Sequence, residues 1–321
     1  MRRRLFLALP AVPMAARAAP IPITCMAPAK PGGGFDLSCH LLRDIFRSDL
    51  TEAPGQVDIR YIPGGIGAVA FDHAVREQWS DPHQFVAFST GSLVNLAQGK
   101  FGPHHVHDVR WLATVGSEFG TIAVPSESRF RTLPELTRAL ARNPAAAVFA
   151  AGGTVGSQDW IKAALLVRAA GADHRGMRFV AFEGGGQALD ALRDGHVDVF
   201  CGDMLEALQA VPAGGIRVLA VLAPQRVSGK LASVPTAREQ GVDLVWPTVR
   251  GFYMGPGVRE REFAAWAREF RTLLRRPRFL QLLASYGLEP HPLVSPDIEP
   301  YVEAQVSRFR ELARSLSLRV V

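Results

Sequence analysis

Three glycine runs each sit between a short apolar segment and the start of a helical pattern. They are Pro31-Gly32-Gly33-Gly34-Phe35-Asp36, Pro63-Gly64-Gly65-Ile66-Gly67 and Glu183-Gly184-Gly185-Gly186. Glycine lets a chain turn sharply and lets a ligand approach the main chain. A helix opening on such a turn presents unpaired N–H groups and partial positive charge, which suit an anion. Three such loops, spread over both halves of the chain, point to one anionic ligand gripped from two sides.

Around these loops the pattern is strand, glycine loop, helix, repeated. Apolar runs predict strands at 23–27, 57–62, 84–89, 121–124, 146–151, 178–182, 197–201 and 216–222. Helical spacing predicts helices at 36–49, 68–78, 133–142, 158–170 and 187–193, with a short turn through Leu96. This alternation predicts an α/β fold with two mostly parallel sheets. The last third breaks the rhythm: 251–254 reads as a strand returning to the first sheet, before helices at 259–275, 277–285 and 296–315. A first lobe of 20–122 plus 247–321 and a second of 123–246 would be joined by a hinge that closes on a ligand. In open α/β sheets, ligands bind beyond the carboxyl ends of strands, where all these loops lie.

A chain of 321 residues, 48% hydrophobic and 21% charged, has room for about two domains with their own cores. Its first 19 residues read differently. Met1-Arg2-Arg3-Arg4, an apolar Leu5–Met14 and Ala16-Arg17-Ala18 form an export signal ending at Ala18 or Ala19. Arg3-Arg4-Leu5-Phe6-Leu7 suits twin-arginine export, and Sec export suits the segment equally. Removing Arg2, Arg3, Arg4 and Arg17 lowers the formal net charge from +6 to +2. A chain that close to balance is not expected to bind nucleic acid. Three cysteines, an odd count, argue against a disulfide framework. A Cys25–Cys39 bridge stays open, but buried free thiols are the expectation.

Sharper motifs fail on spacing. Gly65-Ile66-Gly67-Ala68-Val69-Ala70 imitates a dinucleotide fingerprint but follows the second strand, without an acid at the end of the next. Gly91 to Lys100 lacks the spacing and the hydroxyl of a phosphate loop. His104, His105 and His107 lie in a polar stretch with no second ligand pair, so no metal is expected. No nucleophile–base pattern appears. Asp36 reads first as a helix cap. Ser38, Ser89, Thr90, Ser92, Thr154 and Ser157 place neutral hydroxyl donors near strand ends.

Several segments together resemble the substrate-binding proteins of tripartite tricarboxylate transporters. They are Ala27–Asp36, Tyr61–Ala68, Asn95–Phe101, Gly156–Trp160, Ala181–Gly186, Val234–Ala237 and Pro247–Gly255. The resemblance implies a two-lobed periplasmic-binding-protein fold of the type II, Venus-flytrap kind. It implies an exported monomer without cofactor, metal or catalysis, delivering a carboxylate to membrane subunits. Many members carry Pro-Tyr-Lys-Gly-Gly at the third glycine loop. This chain has Ala181-Phe182-Glu183-Gly184-Gly185, which aligns it with the tricarboxylate-binding branch and makes citrate the first ligand to consider. Carried over by position, the ligand site comprises Gly33, Gly34, Phe35, Asp36, Gly64, Gly65, Ser89, Thr90 and Gly91. From the second lobe it adds Ser157, Gln158, Asp159, Gly184, Gly185 and Asp203. Glu183 is expected to set ligand choice. The alternatives are an aromatic or aliphatic dicarboxylate, separable by the surroundings of Phe35, Phe182 and Trp246, or a sensor serving a histidine kinase.

Overall fold

The computed structural model describes residues 21–48 and 55–320. The export signal at 1–19, and Asp49 at the expected end of the first helix, lie outside the described residues. The chain begins β1 (Ile21–Ala27), α1 (Gly34–Arg47), β2 (Gly55–Tyr61), α2 (Ala68–Arg76), β3 (Gln84–Ser89), α3 (Thr90–Ala97) and β4 (Arg110–Phe119). It continues through β5 (Thr121–Pro125), α4 (Leu133–Arg142), β6 (Val148–Gly152), α5 (Gln158–Ala169), β7 (Arg178–Phe182) and α6 (Gly185–Arg193). Next come β8 (Val199–Phe200), α7 (Met204–Ala210) and β9 (Ile216–Val221). It ends with β10 (Pro247–Met254), α8 (Glu260–Leu273), α9 (Pro277–Ser285) and α10 (Ile298–Ser315).

Among the described residues, ten strands form two five-stranded sheets, ordered β2-β1-β3-β10-β4 and β7-β6-β8-β5-β9. Each sheet is mostly parallel, as expected, with one reversed strand that makes it mixed. In the first, β1 runs parallel to β2 and β3, while β10 is antiparallel to β3 and β4. In the second, β6 is parallel to β7 and β8, while β5 is antiparallel to β8 and β9. The cause is connectivity. β5 follows β4 directly through Gly120, and β10 returns from the second sheet to the first. These two passages lie side by side: the Gly120 N–H donates to the Trp246 carbonyl at 2.9 Å.

Helix faces follow the apolar spacing. Leu41, Leu42, Ile45 and Phe46 of α1 are buried against the first sheet. There Phe85 packs edge-on against Trp266, with Phe252 and Phe270 beside it. α10 lies over α3 and β4 on the opposite face, and that core runs on to α4 and α5 of the second sheet. α6 covers the other face of the second sheet with Ala188, Leu189 and Leu192.

Cys25 of β1 and Cys39 of α1 form a disulfide, with Cα atoms 5.6 Å apart; Cys201 is a buried free thiol. This corrects the expectation of three free thiols. Parity of a count says nothing about one pair that a strand and its following helix bring to bridging distance.

Candidate functional site

The N-cap residues of five helices line one cavity between the sheets. They are Gly33 of α1, Ser89 of α3, Ser157 of α5, Gly184 of α6 and Asp203 of α7. The placement follows from the fold, because each helix starts just past the end of a strand. Ser89 Oγ accepts from the Gly91 N–H at 3.2 Å, and Ser157 Oγ from the Trp160 N–H at 3.4 Å. Gly33 and Gly184 have no side chain with which to cap their helices, so the first turns of α1 and α6 open toward the cavity.

Six buried charged side chains stand around this cavity or behind it. Lys162 Nζ bonds Asp203 Oδ1 at 2.8 Å, Asp159 Oδ1 at 3.1 Å and the Gly202 carbonyl at 2.7 Å. Arg250 joins Glu118 through Nε and reaches Asp203 Oδ2 at 3.2 Å. Glu206 Oε1 accepts from the Gly34 N–H at 2.9 Å, and Oε2 from the Asp203 N–H at 3.2 Å. Burial pushes the Asp203 carboxyl up, but Lys162 and Arg250 outweigh it and hold the group below the usual carboxylate range. Burial raises Glu118 to about 7, with Arg250 offsetting part of the rise. Burial, then the charges of Asp203 and Asp159, raises Glu206 to about 8.

The cleft has two chambers. The inner cavity is about 40 Å³ in volume, room for a few waters or one small polar group rather than a whole organic acid. An outer chamber of about 490 Å³ continues from it, sharing Ile66, Asn95 and Ser157. Lys100, Thr154, Phe182, Glu183 and Gln187 line this outer space. Burial lowers the Lys100 ammonium to about 8, which leaves it largely charged at neutral pH. Bonds cross the cleft: Lys100 Nζ donates to the Val155 carbonyl and Gln98 Nε2 to the Gly156 carbonyl, both at 2.6 Å. Ile66 holds φ 52° and ψ 54°, a left-handed conformation costly for a β-branched residue. Asn95 Nδ2 lies 3.4 Å from the carbonyls of Gly65 and Ile66 and braces that loop.

Of the residues expected at the site, the structure brings Gly33, Gly34, Phe35, Ser89, Gly91, Ser157, Gln158, Asp159, Gly184, Gly185 and Asp203 to the inner cavity. Gly65 lines the outer chamber. Three stand off both. Asp36 fixes the first glycine loop: Oδ2 accepts from the Gly32 N–H and Oδ1 from the Tyr61 hydroxyl, each at 2.8 Å. Thr90 Oγ1 accepts from the Val249 N–H at 2.9 Å and ties α3 to β10. Gly64, at φ 138°, leaves no room for a Cβ beside Val69. Glu183 is exposed on the outer wall. Trp246 is buried against Phe309 and faces neither chamber.

Sequence reasoning missed Glu118, Lys162, Glu206 and Arg250. Three of the four carried a signal. Asp203-x-x-Glu206 has the spacing of a capping box, which the structure forms at the start of α7. Lys162 and Arg250 interrupt otherwise apolar runs, and a charge there needs a buried partner.

The sequence profile of TctC, the tripartite tricarboxylate transporter family receptor, matches residues 98–318. The UPF0065 protein in the tcbD-tcbE intergenic region of Pseudomonas sp. strain P51 is 27% identical over 219 residues, 68% of this chain and 62% of that protein. The match thus spans less than two thirds of that relative. MatC (Rpa3494) from Rhodopseudomonas palustris with bound malate superposes with a TM-score of 0.76 at 21% identity, over 92% of this chain and 99% of the other. Periplasmic binding protein BugD gives 0.80 at 19% identity, over 94% and 99%. At these identities the structural likeness establishes the fold, that of the periplasmic binding proteins.

Proposed function

The chain belongs to the tripartite tricarboxylate transporter receptor family, and on that premise we propose that it captures a small carboxylate in the cleft between its sheets and delivers it to the membrane subunits of such a transporter. The family consists of substrate-binding receptors, not enzymes. No described helix is long and apolar enough to cross a membrane. With the export signal read at its start, the chain is assigned to the periplasm, as a monomer.

The observation that carries the reading is the convergence of five helix N-caps on one cavity. The first turns of α1 and α6 supply N–H donors, Ser89 and Ser157 supply hydroxyls, and Lys100 supplies a cation in the outer chamber. Helix N-termini stabilise a nearby anion by roughly 0.3–1 kcal/mol each at exposed sites, and by more when partly buried. The sheets are assigned to two lobes, 20–122 plus 247–321 and 123–246. Every strand of each sheet falls in its lobe, except that β5 begins two residues before the division. A ligand that bonds both lobes favours the closed arrangement by its differential affinity.

Citrate remains the first ligand to consider, from the third glycine loop, and the outer chamber has the volume for it. A hydroxydicarboxylate is the second reading. The acids around the inner cavity favour a hydroxyl there over another charge, and a relative of the same fold is described with malate. Titration calorimetry with citrate, isocitrate, tricarballylate, malate and adipate tests the proposal. Saturable binding of at least one acid is expected, with a rise in melting temperature. No heat and no thermal shift with any of them would sink it.

A further inference from the structure

A carboxylate already stands at the inner end of the cleft. α1 and α6 face each other there, and neither glycine N-cap has a side chain to cap its helix. Glu206 fills the space between them. Its Oε1 takes the Gly34 N–H at 2.9 Å, and the same oxygen would lie 2.1 Å from a Cβ on Gly185. The side chain therefore does more than complete its own capping box: it crosses from α7 to the helix that opens the other sheet. Two buried amide oxygens that line the same cavity have no partner, Asn95 Oδ1 and Gln158 Oε1. Asn95 is 2% exposed. An acceptor without a donor in a buried cavity calls for a donor from outside.

We propose that Glu206 sets specificity by filling the inner anion seat, so that a ligand enters with a neutral hydrogen-bond donor inward and its carboxylate outward, toward Lys100. The proposal rests on the carboxylate reading of the cleft and adds which end of the ligand goes where. A hydroxyl pointing inward can donate to Glu206 or to the orphaned amide oxygens. A second carboxylate would meet Glu206, Asp203 and Asp159, against Arg250 and Lys162, which already bond Glu118, Asp203 and Asp159. Glu183, on the outer wall, is displaced from the role the sequence suggested.

The titration of Glu206 gives the assignment a signature. It is faced by Asp203 on its own helix start, by Asp159 and Lys162 of α5, by Arg250 of β10 and, behind Arg250, by Glu118 of β4. The N-termini of α1 and α6 face it as well. Its carboxyl is raised to about 8. Binding of a dicarboxylate is then linked to protonation of Glu206 and weakens as pH rises through that value, by up to about tenfold per unit.

Matched ligand pairs of equal length test this: adipate against 6-hydroxyhexanoate, and succinate against 4-hydroxybutyrate, titrated calorimetrically into the full chain between pH 6 and 9. Above pH 8, where Glu206 carries its charge, the wild type is expected to prefer the hydroxy acid of each pair by at least about tenfold, and the preference narrows toward pH 6. At pH 9, Glu206→Ser should raise dicarboxylate affinity by about tenfold or more and reverse the order. Glu206→Gln, which keeps the shape of the capping box, should reduce the pH dependence of dicarboxylate binding to that of the matched hydroxy acid, which Lys100 sets, even if the serine variant folds poorly. An unchanged ratio and pH profile in the glutamine variant, with acids still bound, would overturn the Glu206 assignment alone. Failure of every protein to bind any of the four acids, or those of the earlier panel, would remove the carboxylate reading and the assignment with it.

Discussion

Arg250 is 1% exposed and bonded to Glu118 and Asp203, so deleting its charge strands two buried carboxylates. Removing one partner of a buried ion pair costs about 3–5 kcal/mol, because the other charge loses its compensation. Arg250→Met is therefore expected to lower unfolding free energy by about that amount in urea denaturation, and adding Glu118→Gln should recover part of it. A loss within about 0.5 kcal/mol, the range of an ordinary surface change, would contradict the account. At this scale the sequence told backbone-driven features better than side-chain ones. The glycine loops and the hydroxyls of Ser89 and Ser157 near strand ends were readable, because turns depend on local residue type, whereas Asp36, read first as the cap of α1, lies in its first turn behind the actual cap, Gly33. Asp36 and Thr90 were placed near the ligand, yet they bond Gly32, Tyr61 and Val249 instead. Their direction depends on what packs beside them. Glu206 reaches a residue 172 positions away, a contact no local pattern encodes.

β1 and α1 illustrate the element scale. Both were legible: an apolar run, a glycine turn and a helical stripe. Their disulfide was not, because the parity of a cysteine count carries no information on which strand and helix bring two thiols to bridging distance. The bridge spans 14 positions, and a loop of that size is worth about 3 kcal/mol in the chain-entropy account. Cys39→Ala is expected to lower stability by roughly that amount by denaturant titration. An equal effect of reductant on the wild type and on the alanine variant would speak against a bridge. β4 and α7 were missed for different reasons. Thr114, Gly116, Ser117 and Glu118 dilute the apolar signal of β4, although the strand is buried through most of its length because β10 and α10 cover it. α7 has only seven residues, too few for periodicity, and its one strong sign is the capping box. The one reversed strand of each sheet, β10 in the first and β5 in the second, lies beside the crossings at Gly120 and Trp246, and its direction depends on where the chain crosses rather than on its own residues.

For the whole molecule, the buried acids tie stability to pH. Glu118 and Glu206 start from an ordinary 4.5 and are raised to about 7 and about 8. Between those limits the folded chain holds more protons than the unfolded one, so unfolding free energy falls as pH rises from about 5 to 8. The slope is at most about 1.4 kcal/mol per unit for each group. Asp203, held low, and Lys162, held high, exert their linkage outside this window. Lys100, lowered to about 8, acts mainly above it. Melting temperature is expected to decline across pH 5–8 in the wild type and less in Glu206→Gln. A wild type that gains stability over that range would refute the buried-acid account. The same cluster links α1, α5, α7, β4 and β10, so it joins the parts that a closing cleft must bring together.

The most direct measurement is a crystal structure of the chain with the tightest-binding acid of the calorimetric panel. The account predicts a ligand between the two sheets, with a carboxylate in the outer chamber within hydrogen-bond distance of Lys100 or Ser157. Ligand bound away from the cleft, or with no carboxylate facing a helix N-terminus or Lys100, would contradict it.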